Sequence, residues 1–217
     1  MQPGTEPERT FIETARRAQI VAAAIDTIAE VGYAQATLGR IAERIGISRG
    51  LISYHFAGKD ELVAQVVSDV VDQAKEDMWP PIFAATTGSE VLRAYIESSL
   101  AFTREHPNHK MALLEITRNS LSPDGPRFDG DAHEEAVRNL EDLLAHFQAA
   151  GQLRADLNPR ATAIAIRAAI DAAGARLTFD KNLDIEEYAR DIANLFDLGT
   201  RNDAPQRPTS TASRRTG

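Results

Sequence analysis

The chain has 217 residues, a net charge of −8 and no cysteine, which excludes disulfides and thiolate metal sites and fits a reducing cytoplasm. With 43% hydrophobic and 26% charged residues it has the composition of a soluble globular protein of one large or two small domains. No apolar run approaches the ~20 residues that span a bilayer, and the acidic start Met-Gln-Pro-Gly-Thr-Glu-Pro-Glu has no secretory character. The expectation is a cytoplasmic protein without a membrane partner.

Residues 1–8 are polar and are expected to be disordered. A helix over 9–31 follows, with Val21, Ala24, Ile25 and Ile28 as its apolar stripe and Gly32 as its stop. Arg16 and Arg17 near its start suit a solvated surface or a phosphate contact, and Tyr33 reads as a packed aromatic of the following loop.

Two short helices are expected within 37–59. The Thr37 hydroxyl can cap the first, and Leu38, Ile41, Ala42 and Ile45 recur at helical spacing. Gly46 stands where a helix end often needs a positive φ. Ile47 plugs the corner, and Ser48 caps a second helix running to about Phe56. A helix, a glycine-containing turn and a second helix make a helix-turn-helix. Ile52 and Phe56 would face the first helix, leaving Arg49, Gly50, Ser53 and Tyr54 on the outward face. Arg reads guanine bidentately, and hydroxyls reach bases or phosphates, so this face suits a DNA major groove. By spacing alone a surface helical hairpin is an equal reading.

Charge placement supports the first. Residues 1–60 carry seven Lys/Arg and seven Asp/Glu, whereas the remainder carries 17 and 25. The acid thus lies away from the reading helix, and 37–59 has four cations against one Glu, so a local patch can meet phosphates.

Lys59 opens a long amphipathic helix to about Met78, with Leu62, Val66 and Val70 in one row and Val63, Val67, Val71, Ala74 and Met78 in the next. Trp79-Pro80-Pro81 should stop it. Ser89 should cap the next helix, whose apolar set is Val91, Leu92, Tyr95, Ile96, Leu100 and Phe102, and His106-Pro107 should end it. Helices are expected over 108–121 and 132–150, separated by the turn-rich 122–130. Asn158-Pro159 opens a helix to about Phe179 rich in alanine, and Asp184 opens the last, with Ile185, Ala189, Ile192 and Phe196 as its stripe. Small residues allow close approach, so helices 158–179 and 184–198 suit either a homodimer interface or ordinary core. From Thr200 the composition predicts a disordered tail.

Several of these segments resemble one family. Gly32-Tyr33, Thr37, Ile41-Ala42, Gly46-Ile47-Ser48, Tyr54-His55-Phe56 and Lys59-Asp60-Glu61-Leu62 are similar, in register over about residues 10–62, to the DNA-binding domain of TetR-family bacterial regulators. Gly-Leu-Ile-Ser-Tyr-His-Phe resembles the choline-responsive, BetI-like branch, without carrying over the ligand. Two positions depart: Ser53 stands where the family often has a phosphate-contacting Tyr, and Gly39 where many relatives are polar or basic. The resemblance implies an all-α homodimer, with a helix-turn-helix domain over 9–58 and a ligand-binding and dimerisation domain over 59–199. It also implies a double-stranded DNA operator and a small-molecule effector that releases it.

On that reading Arg49 and Tyr54 contact base edges and their surroundings. Thr37, Arg40, Ser48, Gly50, Ser53, His55 and Lys59 sit at the same interface, mainly on phosphates. Effector candidates are the aromatic or apolar Trp79, Phe83, Tyr95, Phe102, Met111, Phe147 and Phe179, with the polar Glu115, Asn119, Arg167, Asp171 and Arg176. For each, packing or a surface ion pair is the competing reading. No glycine-rich nucleotide loop, Glu-x-x-His pair or other catalytic pattern is present, so no enzyme, cofactor or metal site is expected. His106 and His109 straddle Pro107 and make a weak metal pair. Other classes remain open: a regulator of the same shape controlled by a partner protein, and a helical carrier or enzyme with a vestigial helix-turn-helix.

Overall fold

The computed structural model describes residues 11–120, 132–180 and 182–202, with 120 and 177–179 described by their backbone alone. Among these residues the chain forms nine helices and no strand. They are α1 (Phe11–Val31), α2 (Leu38–Arg44), α3 (Arg49–His55), α4 (Lys59–Ala84), α5 (Gly88–Glu105), α6 (Pro107–Ser120), α7 (Ala132–Ala149), α8 (Pro159–Phe179) and α9 (Ile185–Thr200). None of the described helices is long and apolar enough to cross a membrane. The terminal segments 1–8 and 203–217 and the turn-rich 122–130, for which disorder or a loop was expected, lie outside the described residues.

Local chemistry sets the ends of the first three helices. Gly32 adopts φ 78° and closes α1, its N–H donating to the Ile28 carbonyl at 2.9 Å. Thr37 caps α2 by accepting from the Arg40 N–H at 3.3 Å, and Ser48 caps α3 by accepting from the Leu51 N–H at 3.2 Å. Between them Gly46 takes φ 66°, the left-handed conformation that turns the chain from α2 into α3.

Two apolar cores follow from the amphipathic stripes. The first joins α1, α2 and α3 to the start of α4 through Ile20, Ile28, Ile41, Ile52, Phe56, Leu62 and Val66, and takes in Phe102, Ala112 and Ile116. The second gathers Ile82, Leu92, Ile96, Leu140, Leu144, Ile166 and Ile170 from α4, α5, α7 and α8, with Ala189 and Ala193 of α9. Helix α4 thus contributes to both cores. Helix α1 packs along α6, which ties the first three helices to the second half of the chain.

Three boundaries differ from expectation. Helix α4 runs through Pro80 and Pro81 to Ala84 instead of stopping at Trp79. Proline already has a helical φ, and burial of Ile82 together with the Trp79–Phe83 stack, 5.1 Å between centroids, favours one more turn. Helix α5 is capped by Thr87, not Ser89. Thr87 and Glu90 form a reciprocal capping box, while Ser89 donates to Asp197. Thr200 does not begin a loose tail: it is buried, its carbonyl accepts from the Arg154 N–H at 2.9 Å, and Asn202 N–H donates to Gln152.

Candidate nucleic-acid interface

Helix α3 is divided cleanly by burial. Ile52 is 0% exposed and Phe56 1%, whereas Tyr54 is 71% exposed and Arg49, Gly50 and Ser53 are all exposed. Seven residues are too few for an isolated helix to persist, so the Ser48 cap and the two buried side chains hold it in place. Ser48 and Thr37 are exposed beside the helix starts they cap. Their oxygens accept from backbone N–H groups, which leaves each hydroxyl proton available to a phosphate.

The cations around this face divide into two groups. Among the described residues Arg40 and Arg49 take part in no ion pair and are exposed. The others are engaged within the fold. The Arg17 guanidinium lies 3.9 Å above the Phe56 ring, donates to the His55 carbonyl and pairs with Glu61 at 3.5 Å. It therefore bonds α1 to the end of α3 and to α4, a role spacing could not show because its partners lie 38 and 44 residues away. Arg44 pairs with Glu30 at 2.6 Å.

Lys59 has a partner within the fold. Its Nζ donates to the Tyr33 carbonyl at 2.5 Å and sits 4.0 Å over the Tyr33 ring. Burial lowers the ammonium below the usual lysine range, against a raising contribution from Asp60. Lys59 thus fastens the start of α4 to the α1–α2 loop. Tyr54 donates to Glu13 at 3.3 Å, and its ring meets His55 edge-on at 5.0 Å, so the phenol stands at the rim of the face.

A family model described as bacterial regulatory proteins, tetR family, matches residues 20–66, the segment carrying this face. The HTH-type transcriptional regulator BetI of Cronobacter sakazakii is 31% identical over 109 residues, which are 49% of this chain and 54% of that protein. Over residues 20–66 the chain is similar to the TetR family of bacterial regulatory proteins. It spans between 28% and 57% of the length of the curated BetI relatives it matches. A Rhodococcus sp. structure described as a TetR-family transcriptional regulator superposes with TM-score 0.73 at 22% identity, covering 85% of this chain and 98% of that one. A transcriptional regulator from Saccharomonospora viridis, solved in complex with choline, gives 0.70 at 20% identity, covering 87% and 99%. Both share the fold.

In this fold the residues expected to line one effector pocket are dispersed. Trp79 and Phe83 stack on each other at the surface, with Phe83 77% exposed. Phe147 packs against Gly88, and Phe102 belongs to the first core while Tyr95 belongs to the second. Met111 is half-buried on α6. On the same helix Glu115 points at Gly32, and the Asn119 amide donates to the Glu115 carbonyl at 2.7 Å. The Phe179 side chain lies outside the described residues. Tyr95, Arg167 and Asp171 meet in the interior, around Lys110, a residue the sequence reading did not single out. An unusual lysine among the apolar residues of α6 was the available signal.

Two recesses lie elsewhere. A groove of about 710 Å³ between α4 and α5 is lined by Pro81, Ala94, Ala101 and Phe102 with Asp77, Glu97 and Glu105. A recess of about 730 Å³ at α8 and α9 is lined by Ala172, Ala175, Arg176, Asp180, Leu183 and Tyr188. His106 and His109 face each other edge-on at 5.1 Å, with His106 Nε2 3.0 Å from Asp77, and no group of three or more metal-ligating side chains occurs among the described residues.

Proposed function

We propose that the chain is a cytoplasmic transcription regulator, most simply a repressor, that binds a near-palindromic operator as a homodimer and is released by a small-molecule effector. The observation that carries this is the exposed face of α3, with Arg49, Gly50, Ser53 and Tyr54 outward over a buried Ile52 and Phe56. Each subunit inserts α3 into a major groove, and symmetry places the second α3 in a groove about one helical turn or more away. Arg49 and Tyr54 read base edges and their surroundings. Thr37, Arg40, Ser48 and Ser53 grip phosphates and fix the register.

An uncovered stripe supports the dimer. Ala161, Ile164, Ala165, Ala168 and Ala172 are exposed along one side of α8, and Leu195 and Leu198 are 63% and 61% exposed on α9. Two copies packed through these helices bury that surface in a four-helix interface. Effector control is supported by the choline-bound S. viridis structure, which shares the fold. An effector lowers DNA affinity only by as much as it discriminates between the DNA-competent state and a state with different spacing of the two α3 helices.

The test is a gel shift with DNA flanking the protein's own gene, against a scrambled duplex of equal length, together with the mass of the free protein in solution. A specific, salt-sensitive shift by a dimer supports the reading. Equal binding to both duplexes, or a monomer that binds neither, refutes it.

A further inference from the structure

Inside the second half of the chain, three helices aim charged groups at a single carboxylate, and a fourth adds a tyrosine hydroxyl beside them. Lys110 of α6 reaches Asp171 Oδ1 at 2.5 Å, and Arg167 Nη2, one turn before it on α8, shares that oxygen at 3.5 Å. His133 at the start of α7 lies 3.6 Å from Oδ2, and Arg167 Nη1 is 3.4 Å from the Tyr95 hydroxyl of α5. Lys110 is 8% exposed, and the Arg167 side chain 14%. Two enclosed cations therefore face one carboxylate.

The guanidinium is the under-used member. Arg167 Nε is buried with no hydrogen-bond partner, and both terminal nitrogens make only long contacts. Such a fork is shaped for two parallel bonds to a planar carboxylate, and here it makes none. Burial lowers the Lys110 ammonium below the usual lysine range, with Asp171 raising it and Arg167 lowering it. Buried ion clusters are no more stabilising than apolar packing of the same volume, so an incompletely satisfied one in a core calls for a further partner. A Cβ on Gly174 would press on Lys110 Cε and Cγ at 3.3 Å, so glycine lets the lysine stem pass.

We infer that Tyr95, Lys110 and Arg167 anchor an organic acid, a carboxylate with an apolar body, which takes the Arg167 fork and competes with Asp171 for Lys110. The body lies among the apolar residues of the second core, which includes Tyr95, Ile166 and Ile170. A cationic ligand meets two like charges here, and a neutral one leaves both undercompensated. This deepens the effector-controlled reading above and rests on it.

The test uses the full chain without DNA, by calorimetry and thermal shift. The probes are hexanoate, decanoate and phenylacetate, each against its neutral amide and with hexyltrimethylammonium as the cationic control, at fixed ionic strength. At least one acid should bind about tenfold more tightly than its amide, with no binding of the ammonium. Arg167→Gln should erase the preference for acid over amide. Asp171→Asn, which keeps the shape and removes the competing carboxylate, should tighten the acid about tenfold. Equal binding of acid and amide, no binding of any acid, or an Asp171→Asn protein that binds acid no better overturns the inference, and the last holds even if Arg167→Gln fails to fold. Acid binding by a protein that ignores operator DNA would sink the regulator reading alone. Operator binding without acid binding would sink only the acid site.

Discussion

Replacing Ser48 by alanine and by aspartate pulls apart the two jobs its hydroxyl can do. Its oxygen accepts from the Leu51 N–H at 3.2 Å at the start of a helix of only seven residues, so part of the cost of losing it falls on α3 itself. Removing a serine cap costs about 1 kcal/mol, which for a chain of this size lowers the melting temperature by roughly 2–4 °C. Aspartate restores the ~1 kcal/mol cap and adds a negative charge at the positive end of α3, worth up to ~1 kcal/mol more. At the DNA surface the order inverts. Ser48→Ala loses one phosphate contact and keeps sequence preference, whereas Ser48→Asp sets a carboxylate against the phosphates and should weaken binding by more than about tenfold, most at low salt. Thermal melts and fluorescence anisotropy at two salt concentrations give both orders. An aspartate variant that binds DNA as tightly as wild type would show that the mouth of α3 does not face the duplex. One less stable than the alanine variant would show that Ser48 is not acting as a cap.

Arg17→Ala should cost about 1–2 kcal/mol of stability by removing the cation over Phe56 and the bond to the His55 carbonyl. It should leave the salt slope of DNA binding unchanged, whereas a lost phosphate contact would reduce the slope by about 0.9. Gly46→Ala should destabilise by about 1 kcal/mol through its φ of 66°, because nothing lies within 4 Å of the added methyl. Gly58→Ser should instead stabilise by a few tenths of a kcal/mol, since Gly58 caps α4 in extended backbone with no side-chain bond and open space around it. The Thr86 and Thr87 backbone and hydroxyl groups lower the Glu90 carboxyl from 4.5 to about 2. A depressed carboxyl stabilises above its unfolded value, so this contribution is complete above about pH 4.5 and fades as pH falls toward 2. Melts of wild type and Glu90→Gln should therefore converge in acid, and parallel curves would contradict the sign.

The reading helices were legible because their signals are local. Thr37, Gly46 and Ser48 act within four residues of themselves, and the Ile52–Phe56 spacing fixes which side of α3 is buried. Long-range partnerships were not legible. Nothing in the sequence around Lys59 says that its ammonium is taken by Tyr33, and nothing near Arg17 points to Phe56. The prolines of α4 misled for a related reason, since burial of Ile82 in a distant core outweighs a local breaker. Thr87 was readable in principle: Thr-x-x-Glu is a capping box, and the nearer Ser89 drew the assignment. Convergence of side chains on a pocket depends on rotations of α5, α6 and α8 that periodicity does not set. The pocket aromatics therefore scattered, while Tyr95, Arg167 and Asp171 came together around an unforeseen Lys110.

The most direct measurement compares wild type and Arg49→Ala on operator DNA and on a scrambled duplex at one salt concentration. If the outer face of α3 reads bases, Arg49→Ala loses about 1–3 kcal/mol on the operator and little on the scrambled duplex. Equal losses on the two duplexes would show that Arg49 holds only the backbone, and no loss on either would show that α3 does not meet DNA.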